Sequence, residues 1–167
     1  MLETKDLVLD KAKYSDWEKM FRNVWSRRDI AKYTVWRISE SEDDAKERIL
    51  KTIEFQKSHD MYFVYEKKNG EPIGFAGVEK LAHHVYEEAG ICLGPDYVGK
   101  GFGKQILTCL MEYCKQEFGA KEFIYSARED NEASRRLAHS LGFYKTSSEL
   151  REHNGNIYSW IKYSKKL

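Results

Sequence analysis

The chain has 167 residues, of which 41% are hydrophobic and 33% are charged, and its formal net charge is +1. This length is typical of one domain, which we expect to span residues 1–167, and it allows a substantial hydrophobic core. The nearly neutral charge provides no electrostatic field that would favour nucleic acid as a partner. No apolar run has the length needed to span a bilayer, so no membrane partner is expected either.

The N-terminal segment and the cysteines predict a cytoplasmic protein. The first residues alternate polar and apolar side chains and lack the hydrophobic region of a signal peptide. The three cysteines, Cys92, Cys109 and Cys114, form no CxxC pair, and any disulfide would leave one of them over. His83 and His84 are adjacent, so a strand would point them to opposite faces. We therefore expect reduced thiols and no metal site.

The first half of the chain predicts a strand, two helices and three further strands. Residues 2–9 favour a strand, and a helix begins at about Tyr14, with apolar residues at helical spacing. Residues 26–40 are expected to be irregular. Ser41 has the position of an N-cap, before acidic residues in the first turn of a helix that ends at about Ser58. The three strands that follow are predicted at residues 61–67, 72–81 and 85–93.

The second half predicts helices that alternate with strands. A helix from about Gly103 to Phe118 carries one apolar stripe and ends at Gly119. Asn131 can cap a later helix that continues to Leu141. The strands of this half are predicted at residues 121–127, 144–152 and 157–163. The chain order thus predicts an α/β (α+β) protein with a mixed, mostly antiparallel sheet of seven strands, flanked by helices.

Residues 97–104 (YVGKGFGK) place three glycines and two lysines between a predicted strand and a predicted helix. A P-loop would need Ser or Thr directly after its Gly-Lys pair. Gly101 occupies that position, so the hydroxyl group for Mg²⁺ is missing. A dinucleotide fingerprint would need GxGxxG inside a βαβ unit, whereas the spacing here is GxGxG.

A third interpretation of this loop is a pyrophosphate cradle that needs no metal. A strand, a glycine-rich turn and a helix N-terminus direct several backbone N–H groups and the helix dipole at one anion. Gly99, Gly101 and Gly103 would let the backbone approach the ligand, and Lys100 and Lys104 would add positive charge. A tight strand-to-helix turn without a ligand remains the alternative.

The segment YVGKGFGKQIL resembles the acetyl-CoA signature of the GCN5-related N-acetyltransferase (GNAT) family, Arg/Gln-x-x-Gly-x-Gly/Ala. Gly101 and Gly103 match its two small positions, and Val98 stands where Arg or Gln is usual, which affects only a side-chain contact. Four segments resemble successive blocks of the ribosomal-protein N-acetyltransferase (RimJ/RimL-like) subgroup: residues 2–12, 73–78, 89–103 and 131–143. The resemblance therefore covers nearly the whole chain.

The resemblance implies a sheet splayed in a V, with acetyl-CoA in the splay as co-substrate. The backbone of residues 91–93 would pair with the pantetheine arm like an extra strand, and Asn131 would contact the arm near the thioester. The residues implied to contact this co-substrate are Ile91, Cys92, Leu93, Val98, Gly99, Lys100, Gly101, Phe102, Gly103, Lys104, Asn131 and Ser134.

Acetyl transfer from a thioester to an amine needs a proton acceptor for the amine, a donor for the oxyanion and a proton source for the leaving thiolate. Glu88 is the candidate base, because it lies on the strand that should carry the thioester. It also matches an acidic position that often precedes glycine in this block of the family (here EAG). Glu149, Glu152 and water are alternative bases, and Glu88 could instead be a solvated carboxylate at a strand edge.

The candidate proton donor differs from that of many relatives, which have tyrosine four residues before the glycine that ends the last helix. Here that position is Ala138. Ser134 matches a serine that the ribosomal-protein subgroup has three residues after the asparagine, so its hydroxyl could serve the thiolate. It could equally help to cap the helix. His139 is a further candidate.

The acceptor side is expected at residues 25–38, from the place of this segment in the family. The candidates for the wall of a pocket are Trp25, Tyr33 and Trp36. The candidates for attracting an acidic acceptor are Arg27, Arg28 and Arg37. Plain packing or solvation is the alternative for each of them.

Taken together, these patterns predict an acetyl-CoA-dependent N-acetyltransferase without a metal. The acceptor would be a primary amine, on a protein N-terminus or a small molecule, and the protein would act as a monomer or homodimer. A catalytically weak CoA-binding sensor is the alternative function.

Overall fold

The computed structural model describes residues 1–30, 33, 37–153 and 155–167. Its α-helices are α1 (Trp17–Met20), α2 (Glu42–Gln56), α3 (Phe102–Phe118) and α4 (Glu132–Ser140). Its strands are β1 (Leu2–Glu3), β2 (Leu7–Asp10), β3 (Asp60–Glu66), β4 (Pro72–Ala82), β5 (Val85–Leu93), β6 (Glu122–Arg128), β7 (Tyr144–His153) and β8 (Asn156–Lys166). Short 3-10 helices occupy Tyr14–Asp16, Arg28–Ile30 and Pro95–Tyr97, and a π-helix occupies Phe21–Trp25.

The described part of the sheet contains eight strands, not the seven predicted. The predicted first strand divides into β1 and β2, which fold back on each other so that Leu2 pairs with Leu9. Thr4 makes the turn. Its N–H donates to the Leu7 carbonyl at 2.9 Å, and its hydroxyl accepts from the Leu7 N–H at 3.0 Å. Such local bonds from threonine compete with a strand ladder, and apolar alternation does not reveal them.

The first helical segment is less regular than the single helix predicted from Tyr14. It begins as a 3-10 turn, continues as α1 and ends as the π-helix, where the Ser26 N–H donates to the Phe21 carbonyl at 3.0 Å. The wider π turn places two sequence neighbours, Val24 and Trp25, in the core together.

The strand order is β1-β2-β3-β4-β5-β6-β8-β7. Every neighbouring pair is antiparallel except β5 and β6, which run parallel and pair only where residues 85–87 lie beside residues 122–124. Beyond this point β5 continues along β4 and β6 continues along β8. The sheet therefore splays between β5 and β6, as predicted, and their facing edges carry backbone groups that the ladder does not use.

Each face of the sheet has its own core. On one side, here called the α3 face, Ile106 of α3 and Ala138 of α4 pack against strand residues such as Phe123. On the other side, the α2 face, Ile49 of α2 packs in a cluster with Trp25 and residues of β3 and β5. The splay thus lies between two helical layers and can be approached from either side.

Candidate active site

A β-bulge interrupts β5 where β5 and β6 separate. Residues 76 and 78 of β4 pair with Ile91 and Glu88, so two β5 residues lie opposite one β4 residue between these pairs. Gly90 in the bulge has a φ of +122°, which residues with side chains rarely adopt. Tyr86 and Ile91 both pack toward the α3 face. Strand alternation from Tyr86 turns Glu88 to the same face.

Glu88 has the electrostatics of a group that exchanges a proton near neutral pH. Burial is the main cause that raises the pKa of this carboxyl to about 7, and the carboxylates of Glu87 and Glu79 act in the same direction. Hydrogen bonds from the backbone N–H groups of Gly90 and Ile91 act in the opposite direction. The bulge therefore holds the carboxyl in place while burial keeps it basic.

Tyr125 and Ser134 meet on the α3 face of the splay. Tyr125 follows directly after the last parallel pair of β5 and β6 and is 5% exposed. The side chain of Ser134 lies close to this phenol. Burial raises the pKa of Tyr125, and the nearby charge of Glu88 adds to the rise, so the phenol keeps its proton. β5, β6 and α4 thus bring a carboxyl group and two hydroxyl groups together.

Tyr125 was not among the residues that the sequence singled out. A buried aromatic side chain in a strand is ordinarily a core residue, and the Tyr125 ring does lie 6.0 Å from that of Phe143 between centroids. The available signal is its place in the chain. The implied position of the thioester is between β5 and β6, and Tyr125 belongs to the β6 side of that gap.

Asn131 and Ser134 form the N-terminal cap of α4. The side-chain oxygen of Asn131 accepts a hydrogen bond from the Ser134 N–H at 3.1 Å, which confirms the predicted cap. The cap uses the backbone of Ser134, while its hydroxyl meets Tyr125. Ala138, where many relatives have tyrosine, is fully buried in the α3-face core. The hydroxyl groups at this site therefore come from β6 and from the first turn of α4.

The glycine loop enters α3 through residues in the left-handed conformation. Gly99 and Gly101 have φ values of +81° and +79°, and a methyl group at either would meet no atom within 4 Å. Glycine is thus required by the backbone conformation, and the loop is open to a ligand. Gly101 is the N-cap of α3, and no side chain caps this helix of 17 residues. The first N–H groups of α3 and its dipole therefore face the loop.

The side chains of the loop have different environments. Phe102 is 6% exposed and packs in the α3-face core, so only its backbone can face a ligand. Gly103 lies against α4, since an added methyl group would come within 3.3 Å of the Leu137 side chain. The exposed side chains of the loop are Val98, Lys100 and Lys104. The loop therefore offers backbone amides with cationic groups around them, which suits a pyrophosphate.

Residues 91–93 present one backbone edge to β4 and the other to the splay. Cys92 pairs with Phe75 of β4, whereas β6 pairs with β5 only up to residue 87. Ile91 and Leu93 pack toward the α3 face, and Cys92 packs toward the α2 face. Burial raises the pKa of the Cys92 thiol to about 12, so it stays protonated and is unsuited to act as a nucleophile.

The alternative acids lie away from the cluster in the splay. β7 carries Glu149 and Glu152 and is separated from β5 by β8 and β6. Both glutamates are exposed, and Glu149 pairs with Arg151. His139 is exposed as well, and its ring lies edge-on to Tyr163 with 5.8 Å between centroids. The fold therefore groups Ser134 with the β5 carboxyl and leaves these other candidates outside.

The segment predicted to face the acceptor is described in part. Trp25 is buried, with its ring 5.9 Å from that of Phe63 between centroids. The Tyr33 hydroxyl donates to the Asp130 carbonyl at 3.3 Å, which ties this segment to the turn before α4. Trp36 lies outside the described residues.

Carboxylates hold two of the three arginines of this segment. Arg27 forms an ion pair with Asp96 at 2.6 Å, just before the glycine loop. Arg37 forms one with Asp44 at 3.2 Å, and Arg28 is exposed. The segment is thus anchored both to the loop and to α2.

None of the three cysteines forms a disulfide, in agreement with the expected thiols. Over the described ranges, no three side chains of His, Cys, Asp or Glu are grouped closely enough to hold a metal ion. Within the same ranges, no helix combines the length and the hydropathy that crossing a membrane requires.

Two proteins with sequence similarity are acetyltransferases by name. Residues 6–144 match the family described as the acetyltransferase (GNAT) domain. The uncharacterized N-acetyltransferase YoaA of Bacillus subtilis is 27% identical over 173 aligned residues, with 97% of each chain covered. The N-alpha-acetyltransferase RimI of Mycobacterium tuberculosis is 29% identical over 93 residues. That match covers 54% of this chain, which spans only 56% of RimI.

Solved structures share the fold. The structure of RimL, the ribosomal L7/L12 alpha-N-protein acetyltransferase, in complex with coenzyme A has a TM-score of 0.81 at 18% identity, covering 98% of this chain and 96% of that chain. The family match spans most of the chain, and the structure contains both the glycine loop and the splayed sheet that the resemblance implied. The chain therefore belongs to the GNAT acetyltransferase family and is an acyltransferase.

Proposed function

We propose that this protein transfers the acetyl group of acetyl-CoA to a primary amine by direct attack of the amine on the thioester. One observation carries the proposal. The splay between β5 and β6 has a carboxyl group with a pKa of about 7 where the strands part, and β5 leads from there to the uncapped N-terminus of α3. The first feature suits proton removal, and the second suits binding of an anion.

The residues of the glycine loop fit the pyrophosphate of acetyl-CoA. Gly99 and Gly101 leave open space where side chains would otherwise stand, and the exposed Lys100 and Lys104 add charge at its rim. The backbone of residues 91–93 would hold the pantetheine arm, and the side chain of Asn131 would lie beside it. When bound, acetyl-CoA supplies an activated thioester.

In this proposal Glu88 accepts a proton from the ammonium form of the acceptor. A base with a pKa near the working pH combines a sufficient ionised fraction with a sufficient drive to take the proton. The bulge supports this role because the N–H groups of Gly90 and Ile91 orient the carboxylate. Glu149 and Glu152 become less suitable, since they are exposed on β7, beyond β6 and β8.

Ser134 is the proposed donor toward the leaving thiolate, and Tyr125 is the proposed positioning residue behind it. The two side chains are neighbours, and a hydrogen bond between their hydroxyl groups would limit rotation of the Ser134 side chain. Because burial raises the pKa of Tyr125, the phenol keeps its proton and acts on Ser134 by position, not as a proton source. The pair would thus replace the tyrosine that many relatives have at the position of Ala138.

The test measures acetyl transfer and CoA binding separately. Release of free CoA and the acetyl mass shift of the product would be followed for a panel of amines and short peptides. Isothermal titration calorimetry would give the affinity for CoA. Turnover with at least one amine, saturable in acetyl-CoA, is the expected result. CoA binding without turnover of any amine would instead identify a sensor, and absence of CoA binding would contradict the cradle.

A further inference from the structure

A cavity of about 380 Å³ lies between α2 and the central strands on the α2 face. Three aromatic residues from different elements, Trp25, Phe63 and Phe75, form part of its wall. Arg48 and Lys51, one turn apart on α2, are its cationic residues. The volume falls at the lower end of the range for sites that bind small molecules, and an apolar wall with a few charged groups is typical of them.

This cavity adjoins the bulge of β5. The Phe75 ring would lie 3.6 Å from a methyl group placed on Gly90, so one wall of the cavity backs directly on the bulge. Phe75 also pairs with Cys92. The charge of Arg48 acts on the Cys92 thiol, which places the guanidinium over the same stretch of β5. A molecule in the cavity is therefore beside the bulge and beside the stretch of β5 to which the proposed function assigns the pantetheine arm, on the side opposite the α3-face helices.

Arg48 is held in a fixed position within the cavity wall. Its guanidinium lies 4.9 Å from the centre of the Trp25 ring and donates to the Arg37 carbonyl at 2.9 Å. Burial is the main cause that lowers its pKa to about 10, a value at which it remains cationic at neutral pH. A preorganised, partly desolvated guanidinium is suited to bind a carboxylate through two parallel hydrogen bonds.

The charges of the adjoining wall do not cancel this cation. A second cavity of about 280 Å³ shares Arg48 and Lys51 with the first, and its other charged residues are Arg37, Asp44 and Glu47. Asp44 pairs with Arg37 and Glu47 pairs with Lys51. Among the residues that line the two cavities, three are therefore cationic and two are acidic.

We propose that this cavity receives the body of the acceptor, and that the acceptor is a primary amine carrying both a large apolar group and a carboxylate. The apolar group lies against Trp25, Phe63 and Phe75, and the carboxylate binds Arg48 at the rim, with Lys51 nearby. A polyamine or another polycation is excluded by the same charges. The inference rests on the proposed function, because it assigns the acceptor of that reaction.

The first test compares acceptors that differ in one feature. L-phenylalanine has both features, phenylalanine amide lacks the carboxylate, L-alanine lacks the large apolar group, and spermidine is a polycation. We expect kcat/KM for phenylalanine to exceed that for its amide by about tenfold or more, the usual effect of one hydrogen-bonded charge pair. Two peptides test the source of the carboxylate. The peptide that begins Phe-Glu carries a carboxylate at its second residue, as a protein N-terminus could, whereas the one that begins Phe-Lys does not. Comparison of both with free phenylalanine distinguishes a protein N-terminus from a free amino acid.

Two variants test the cations without touching the proposed catalytic residues. Arg48→Met keeps an apolar chain over Trp25, and Lys51→Glu reverses a charge at an exposed position. Both should reduce the preference for the carboxylate-bearing acceptor over its amide and leave the affinity for CoA unchanged. Lys57→Glu is the matched control, since Lys57 has 65% side-chain exposure against 75% for Lys51, also pairs with a glutamate of α2, and does not line the cavity. The Lys57→Glu variant should prefer the carboxylate-bearing acceptor over its amide as strongly as the wild type does.

Binding provides a readout that does not depend on turnover. Calorimetric titration of phenylalanine, or of the Phe-Glu peptide, into the protein saturated with CoA should show binding that Arg48→Met weakens. Equal or better use of spermidine or the amide by an active enzyme would overturn the inference and leave the proposed function intact. Failure to acetylate any amine would contradict the proposed function itself. Absence of any binding of the carboxylate-bearing compounds would overturn the acceptor assignment in either case.

Discussion

The two proposed ligand sites beside the splay are built from different parts of the chain. At the glycine loop, the proposed site for the donor is made mainly of backbone N–H groups and one helix dipole, with the exposed Lys100 and Lys104 at its rim. On the α2 face, the proposed acceptor cavity is made of side chains from the π-helix, α2, β3 and β4. A site made of backbone groups comes from one short stretch of sequence, in which few substitutions are tolerated. A site made of side chains is assembled from distant elements, and substitution of one residue alters one contact with the ligand.

The largest effect is expected from Gly101→Asp. The substitution forces a side chain into a φ of +79° and places a carboxylate where an anion should bind. We expect the dissociation constant of CoA to rise by at least about 100-fold, measured by calorimetry. Gly70→Asp is the matched control, because Gly70 has a φ of +69° and equally open surroundings in the β3–β4 turn. If both variants lose CoA equally, the loop is not the cradle.

Glu88→Gln should have the next largest effect, on the rate of acetyl transfer, and should leave the binding of CoA unchanged. The wild-type rate should rise with pH and level off above about 7, because the base must be deprotonated. The variant should be slower by on the order of 100-fold, with a flat profile and normal CoA affinity. Glu87→Gln is the control, since Glu87 is the neighbouring carboxyl and burial raises its pKa too. Normal activity of Glu88→Gln would show that another residue or water acts as the base.

Removal of the hydroxyl group of Ser134 or Tyr125 should lower the catalytic rate by less than Glu88→Gln does. Ser134→Ala and Tyr125→Phe should each lower kcat, the second by roughly 3- to 10-fold, which corresponds to one hydrogen bond. The double variant should be no slower than Ser134→Ala, because Tyr125 acts through Ser134. Tyr86→Phe, at another buried tyrosine of the α3 face, is the control. Independent effects of the two substitutions on kcat would contradict the positioning role.

The smallest effect concerns the pH dependence of stability. The pKa of Glu88 is raised in the folded state, so its contribution to the free energy of unfolding is fully present below about pH 4.5 and is lost as pH rises through about 7. Relative to Glu88→Gln, the wild type should therefore lose about 1–2 kcal/mol across this window, a value reduced because the side chain is only partly buried. Urea unfolding at pH 5 and pH 8 without CoA measures it. If the free energy of unfolding changes equally with pH in the two proteins, the Glu88 carboxyl is exposed to solvent in the folded state.

Much of the fold could be predicted because its signals are local. The N-cap at Ser41 and the strand at residues 85–93 are patterns within a few residues, and the structure confirms them. The turn at Thr4 was missed because its hydrogen bonds come from a residue without a strong turn preference. The π-helix was missed because helical periodicity does not distinguish it from an α-helix when both bury the same side chains.

The candidate site shows the same difference between features with local sequence signals and features that depend on packing. The resemblance singled out Glu88 and Ser134 one at a time, and their roles remain predictions. Their common neighbour Tyr125 could not be identified, because its position beside Ser134 depends on how α4 packs on β6. The sequence already favoured Glu88 over Glu149 as the base. The strand order adds a separate reason, because it puts β8 and β6 between β7 and β5.

By itself the sequence determined the family, the position of the glycine loop before a helix and the order of most elements. Those properties depend on backbone conformation and on residues near each other in the chain, which spacing and residue type express directly. Only the tertiary structure decided which carboxyl becomes buried beside the bulge, which hydroxyl groups join it, and which cations line the cavity on the α2 face. Burial and the convergence of distant strands and helices set those properties, because a pKa and a binding pocket depend on neighbours in space.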